Sequence, residues 1–220
     1  MRTIGIGLIG WGFMGRAHTH ALRSIPLFYP DIDFRVHLAH VCSRRIEKAR
    51  EAAELMGYAR YTDDYRALLA DPDVDAVYIA SPVVLHAKQA MAAADAGKHI
   101  LIEKPLAMTA DEGQKVVEYC ESKGVKIAAG LMMRFGSYVQ AMKKAIAEGK
   151  IGRVVSGYSQ FTCWYPDMPG NWRQSKKNGG GGAMMDMGVH CIDLMQYVLG
   201  TKVKQVAAFQ DTLTFHYEVE

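Results

Sequence analysis

Residues 4–18, IGIGLIGWGFMGRAH, run a β-branched apolar stretch, Ile4–Ile9, straight into Gly10-Trp11-Gly12-Phe13-Met14-Gly15. A lone G-x-G-x-x-G is weak, because glycine is common in any turn. Its meaning depends on a buried strand before it, a helix after it and a repeat of that unit downstream. In that setting Gly10 permits the tight turn, Gly12 lets the backbone approach a pyrophosphate, and Gly15 allows close helix–strand contact. The N-terminus of the following helix then favours the anion.

The rest of the chain supplies that setting to about residue 133. Short apolar runs read as buried parallel strands at Phe34–Cys42, Val74–Ala80, His99–Ile102 and Val125–Ala129. Alanine- and charge-rich stretches of helical period lie between them at Met14–Ile25, Ile46–Met56, Leu85–Ala96 and Ala110–Lys123. Gly57, Gly97 and Gly124 stand where a helix C′ glycine belongs, and Thr109 with Glu112 forms a capping-box pattern. Strand and helix alternating in this way predict an α/β fold, a doubly wound parallel sheet of Rossmann type over residues 1–133.

The pattern changes over residues 134–220. A helix around Ser137–Glu148 precedes two long strand-like runs, Val154–Tyr165 and Val203–Phe215. These predict a second α+β domain with a mainly antiparallel sheet. That sheet reads as unfinished, since two strands make a poor one and the chain ends at Val219-Glu220 inside strand-like sequence. Either partner chains complete it, making a dimer or tetramer through this sheet, or the chain is a truncated product.

Composition narrows the class. The chain has 220 residues, half of them hydrophobic, and a formal charge of only +3 with its basic residues scattered. That argues against a nucleic-acid partner, which leaves a concentrated basic face. Four dispersed cysteines form no CxxC pair, so neither a zinc site nor a disulfide framework is expected. No apolar run approaches the roughly 18 residues of a bilayer span, and the start turns glycine-rich too soon for a signal peptide. A reduced cytoplasmic setting is expected.

Four further segments carry chemistry. After the second strand comes Ser43-Arg44-Arg45, where an NAD enzyme would place an acid for the ribose hydroxyls. A hydroxyl and two guanidiniums suit a 2′-phosphate, which favours NADP over NAD. HILIEKPL puts Glu103, Lys104 and Pro105 at the carboxyl end of a strand, the ligand edge of an open α/β sheet. YIASPVVLH brings Ser81, Pro82 and His86 to the same edge, although a lone histidine such as His86 is more often a packing residue.

The fourth segment is GGGGAMMDMGVHCIDLM, residues 179–195. On a wheel of 3.6 residues per turn Asp186, His190, Asp193 and Tyr197 share one sector. Met184, Met187, Cys191, Leu194 and Val198 form an apolar face about a third of a turn away. From Asn178 to Thr201 there is no Lys, Glu or Arg, so the polar stripe is not an ordinary solvated face. A metal is not expected, because His18 and His20 lie two apart and face opposite ways and no other ligand cluster stands out.

Taken in order, GLIGWGFMGRAH, SPVVLH, EKPL and NWR…GGGGAMMDMGVHCIDL resemble the family of glucose–fructose oxidoreductase, inositol dehydrogenase and the rhizopine-catabolism oxidoreductases. The resemblance implies NAD(P)-dependent hydride transfer to or from a sugar, cyclitol or related polyol. By motif match it implies cofactor contacts at Gly10, Gly12, Phe13, Met14, Gly15, Ser43, Arg44, Ser81, Pro82, His86, Glu103, Lys104 and Arg173. It implies catalytic Lys104, Asp186 and His190, with Met133 also lining the substrate pocket. His190, whose ordinary pKa lies near neutrality, is the candidate general base. Lys104 would stabilise the developing alkoxide. Val83 stands where many members carry Asn, and Met133 where many carry a polar or basic residue. Two other readings use the same frame: a non-catalytic dinucleotide-binding regulator, and an NAD-assisted glycosidase or epimerase.

Overall fold

The computed structural model describes residues 1–212, 214–216, 218 and 219. It divides into two compact units, Met1–Gly130 and Leu131–Glu220. The first unit alternates β1 (Arg2–Ile9), α1 (Phe13–Phe28), β2 (Phe34–Cys42), α2 (Ile46–Met56), β3 (Arg60–Thr62), α3 (Tyr65–Leu69), β4 (Ala76–Ile79), α4 (His86–Asp95), β5 (His99–Ile102), α5 (Ala110–Ser122) and β6 (Ile127–Ala129). All six strands are parallel, in the order β3-β2-β1-β4-β5-β6. Chain direction across the sheet therefore reverses between β1 and β4, the switch point at which doubly wound folds bind nucleotides.

The strand and helix choices follow from the residues. Val77, Tyr78 and Ile79 of β4 and Ile100 and Ile102 of β5 are buried, as central parallel strands require. Alanines face the sheet from α2 (Ala49, Ala52, Ala53) and α4 (Ala87, Ala90, Ala93, Ala94), letting both helices sit close. Gly57 ends α2 with a left-handed backbone. Thr109 Oγ1 accepts from the Glu112 amide, while the Glu112 carboxylate reaches back to the Met108 amide, one residue before the helix cap. The sequence reading had no counterpart for β3 and α3. Both are too short to show a period, at three and five residues.

The second unit contains a 3₁₀ turn (Met132–Phe135), α6 (Ser137–Ala147), a second 3₁₀ turn (Trp172–Gln174), α7 (Lys176–Gly179), a π turn (Met184–Gly188) and α8 (Val189–Leu199). No strand occurs among its described residues. Among the described residues, Val154–Tyr165 and Val203–Phe215 therefore do not form the expected antiparallel sheet. Leu213 and Glu220, in the strand-like end, lie outside the described residues. The physical reason is pairing: Val155, Tyr158, Val206 and Phe209 are exposed, and isolated extended segments do not hold a ladder by themselves. Among the described residues no helix is long and apolar enough to cross a membrane.

One buried charge cluster braces the sheet at β2 and β3. Asp71, just before β4, accepts from His40 Nδ1 at 2.9 Å and from Arg60 Nη1 at 2.7 Å, and its own backbone carbonyl accepts from Lys98 Nζ at 3.0 Å. Burial would push the Asp71 carboxyl up, but the Asp73 amide, Arg60 and His40 outweigh it and hold its pKa below the ordinary range. A carboxylate whose pKa falls on folding stabilises fully above its unfolded value and loses that contribution as pH falls through the lowered one. Asp71→Asn should cost about 2 kcal/mol at pH 7, discounted because Arg60 is half exposed. In thermal melts across pH the gap from wild type should close as pH drops below about 4.

Candidate functional site

At the carboxyl edge of the sheet each strand ends by extending its neighbour's ladder by one bond. Gly10 donates to the Cys42 carbonyl at 2.9 Å, Ala80 to Ile9 at 2.8 Å, Glu103 to Ile79 at 2.8 Å and Gly130 to Ile102 at 2.7 Å. The segments after β2, β1, β4 and β5 are thereby aligned side by side. Ser43-Arg44, the Gly10–Gly15 loop, Ser81-Pro82 and Glu103-Lys104 come together along this edge.

The glycine loop has the form an anion needs. Gly10 is left-handed at φ 110°, and a side chain there would begin 2.6 Å from the Ala80 carbonyl oxygen. A side chain on Gly15 would begin closer than 3.0 Å to the Gly10 carbonyl oxygen. Gly12 differs, because a Cβ there would point into open space at an allowed φ of −99°. Gly12 caps α1 with no side-chain hydrogen bond, and the first turn, Phe13, Met14 and Gly15, holds no acid. Orphan amides, no competing carboxylate and room above Gly12 fit a dinucleotide pyrophosphate. Around the end of β2, Arg44 and Arg45 are exposed. Glu51 of α2 is paired with Lys48 at 2.5 Å and Arg16 at 3.5 Å. The Lys48 bond holds its carboxyl below the ordinary range.

The other expected contacts at this edge are turned into the fold. Ser81 Oγ donates to Gln89 Oε1 at 2.6 Å. His86, buried at the start of α4, lies 2.9 Å from the Ser81 carbonyl by Nε2 and 2.8 Å from the Pro105 carbonyl by Nδ1. Burial lowers its pKa despite both carbonyls, and a neutral ring can donate to only one of them. It thus braces the Ser81-Pro82 turn against the loop after β5. The Lys104–Pro105 peptide bond in that loop is cis. Val83, in the position where a polar residue is common, is fully buried.

Glu103 is also buried, and both its oxygens are engaged. Oε1 accepts from His18 Nε2 at 3.1 Å and from the Tyr78 hydroxyl, and Oε2 accepts from the Lys104 amide at 3.3 Å. Burial opposes its charge, yet the His18 and Tyr78 bonds keep its pKa below the ordinary range. The Tyr78 hydroxyl is pushed up, first by burial and then by the adjacent carboxylate. No local sequence pattern marks His18 or Tyr78, because the partners of His18 lie 60 and 85 residues away.

In the second unit the polar stripe of residues 186–193 begins in the π turn. The Val189 amide reaches Met184 O, an i→i+5 bond, so a step of four residues falls just short of a turn instead of just past it, and Asp186 stays near the sector of His190. Asp186, half buried, lies 3.7 Å by Oδ2 from Arg173 Nε. His190 and Asp193, three apart in regular helix, share a face, and it is the buried face. Met184, expected on the apolar side, is exposed. Arg134 explains the burial of Asp193: its Nε donates to both carboxylate oxygens, at 3.0 and 2.8 Å, and Nη2 adds a third bond. The His190 ring lies 5.7 Å from that of Phe161. Met133 sits in the 3₁₀ turn beside Arg134 and is half buried. A cavity of about 400 Å³ elsewhere, between the end of α1 and the start of β2, is lined by Leu22, Ile25, Phe34 and Val36. It lies at the opposite edge of the sheet from the glycine loop.

Comparison with known proteins resolves the family. Residues 4–131 match the oxidoreductase family with an NAD-binding Rossmann fold, and residues 139–220 match the GFO/IDH/MocA C-terminal domain. The chain belongs to the Gfo/Idh/MocA oxidoreductase family. Among Gfo/Idh/MocA relatives, levoglucosan dehydrogenase of Pseudarthrobacter phenanthrenivorans is 39% identical over 91% of this chain and 52% of its own length. A structure of levoglucosan dehydrogenase with NADH and levoglucosan matches with TM-score 0.84 at 38% identity, over 90% of this chain and 55% of that one. A 3-ketoreductase of Actinomadura kijaniata with NADP and TDP-benzene matches with TM-score 0.79 at 30% identity, over 90% and 58%. The chain spans about half the length of these relatives.

The glycine geometry separates two kinds of damage. Gly12→Ala should leave the melting temperature within about 2 °C while weakening NADPH binding about tenfold or more, read by nucleotide fluorescence. Gly15→Ala should lower the melting temperature by about 5 °C, because the helix start must move off the Gly10 carbonyl.

Proposed function

We propose that the chain is an NAD(P)-dependent oxidoreductase that transfers a hydride between nicotinamide and a carbinol carbon of a sugar, cyclitol or related polyol. The observation that carries this reading is the uncapped, acid-free start of α1, open at Gly12, aligned with Lys104 at the switch-point edge. Relatives named for sugar oxidation or for reduction of a keto group support the substrate class. When bound, the nicotinamide supplies the place where the hydride is gained or lost.

The chain supplies the rest. Amides at the start of α1, with Gly10, Gly12 and Gly15, hold the pyrophosphate. Lys104, as the ammonium, stabilises negative charge developing on the substrate oxygen. His190 takes the hydroxyl proton in oxidation and returns it in reduction, because imidazole exchanges a proton near neutral pH. Asp186, fixed from one side by Arg173, holds substrate hydroxyls. We infer a preference for NADP from Arg44 and Arg45, which follow β2 with no acid among Ser43-Arg44-Arg45. The two matched structures hold NADH in one case and NADP in the other, so the preference rests on these side chains.

A panel of sugars and polyols with NAD and NADP, followed by reduced-nicotinamide absorbance, tests the reaction. Lys104→Ala and His190→Ala should each lower turnover about a hundredfold or more with NADPH affinity retained; near-normal turnover in either removes that residue from the mechanism. Arg44→Ala should raise the KM for NADP about tenfold or more and leave that for NAD within about threefold.

A further inference from the structure

We infer that Glu103 is a positioning residue, whose buried carboxylate ties the cofactor helix α1 to the backbone of Lys104. The role of Lys104 is taken from the function proposed above; the placement of Glu103 is not. The residue sits where the family resemblance implies a cofactor contact, yet it is almost fully buried and both oxygens face donors of the protein. A carboxylate only accepts, so His18 Nε2 must carry its proton, as must the Tyr78 hydroxyl and the Lys104 amide.

Those three donors come from separate elements. His18 lies on α1, three residues after Gly15, so its position is set by the same helix start that would hold the pyrophosphate. Tyr78 lies on β4, and its ring packs 4.1 Å from the His18 ring. Lys104 follows β5. Gly130, after β6, closes the cluster, since a Cβ there would begin 3.3 Å from Glu103 Oε1. His86 also feels this carboxylate. A displacement of α1 would therefore pass through one carboxylate to the segment bearing Lys104.

Glu103→Gln keeps the shape and removes the charge. In the full chain, hydrogen exchange of the amides after β5 and at the start of α1 should quicken about tenfold in Glu103→Gln, because a carboxamide cannot accept from all three donors in the same pose. NADPH affinity should stay within about threefold, and turnover on any accepted polyol should fall about tenfold with KM little changed. Unchanged amide exchange in both segments of folded Glu103→Gln overturns the inference. So does a loss confined to cofactor affinity, which would make Glu103 a cofactor ligand. Amide exchange needs no turnover, so a failed polyol panel would overturn the proposed reaction while leaving this test decisive. If Glu103→Gln does not fold, His18→Phe keeps the ring contact with Tyr78 and removes only the bond from α1. Lower turnover with unchanged NADPH affinity then supports the inference, and unchanged turnover overturns it.

Discussion

The carbonyl oxygen of Gly10 occupies the place where any side chain on Gly15 would begin, and the Ala80 carbonyl crowds Gly10 in the same way. These two approaches seat the start of α1 on the end of β1 and seat β1 against β4. Much of the carboxyl edge depends on them. If α1 began an ångström higher, its orphan amides would point past the crevice, and His18, one turn further on, would leave Glu103. The glycines act here through the space they leave, and Gly12 is the one whose space faces outward rather than into the fold.

Three buried or nearly buried carboxylates carry out the remaining positioning. Asp71 joins β2, β3 and the approach to β4; Glu103 joins α1, β4 and the segment after β5; Asp193 joins α8 to the turn at Arg134. An ion taken out of water is costly unless several donors meet it, and replacing such groups by apolar ones often leaves stability unchanged. Their value lies in direction. An apolar contact tolerates rotation and sliding, whereas Arg134 gripping both oxygens of Asp193 fixes the rotation of α8 about its axis. That rotation also sets where His190, one turn earlier, can point.

Legibility in the sequence follows the range of the interaction. The parallel sheet, the glycine loop and the C′ glycines depend on residues within a few positions of one another, and period and spacing expose them. The edge at which Ser43, Ser81 and Lys104 gather was legible too, because chain direction alone places strand ends. Contacts over long separations were not. Nothing near His18 marks it as the partner of Glu103, and Asp193 looks like one more member of a polar stripe until Arg134 is brought to it. The π turn itself was not legible: Gly181, Gly182 and Gly188 flank or occupy it, and no periodicity argument registers one inserted residue per turn. The strand-like runs after residue 153 show that β-branched and aromatic content marks a surface fit for a sheet without providing the partner strands.

Along the carboxyl edge, the side chains that look most like ligand contacts in the sequence serve the fold: Ser81 holds Gln89, His86 spans two carbonyls and Glu103 gathers three donors. The groups turned outward are backbone amides at the start of α1 and the exposed guanidinium of Arg44. Amides recognise a pyrophosphate and are indifferent to what the far ribose carries. On the proposed reading, discrimination between NAD and NADP then falls to the short segment Ser43-Arg44-Arg45, which lies beyond the last bond of β2. Substitution there disturbs neither the ladder nor the glycine contacts. A frame built in this way can exchange one cofactor for the other at little structural cost, in keeping with one family holding NADH in one matched structure and NADP in another.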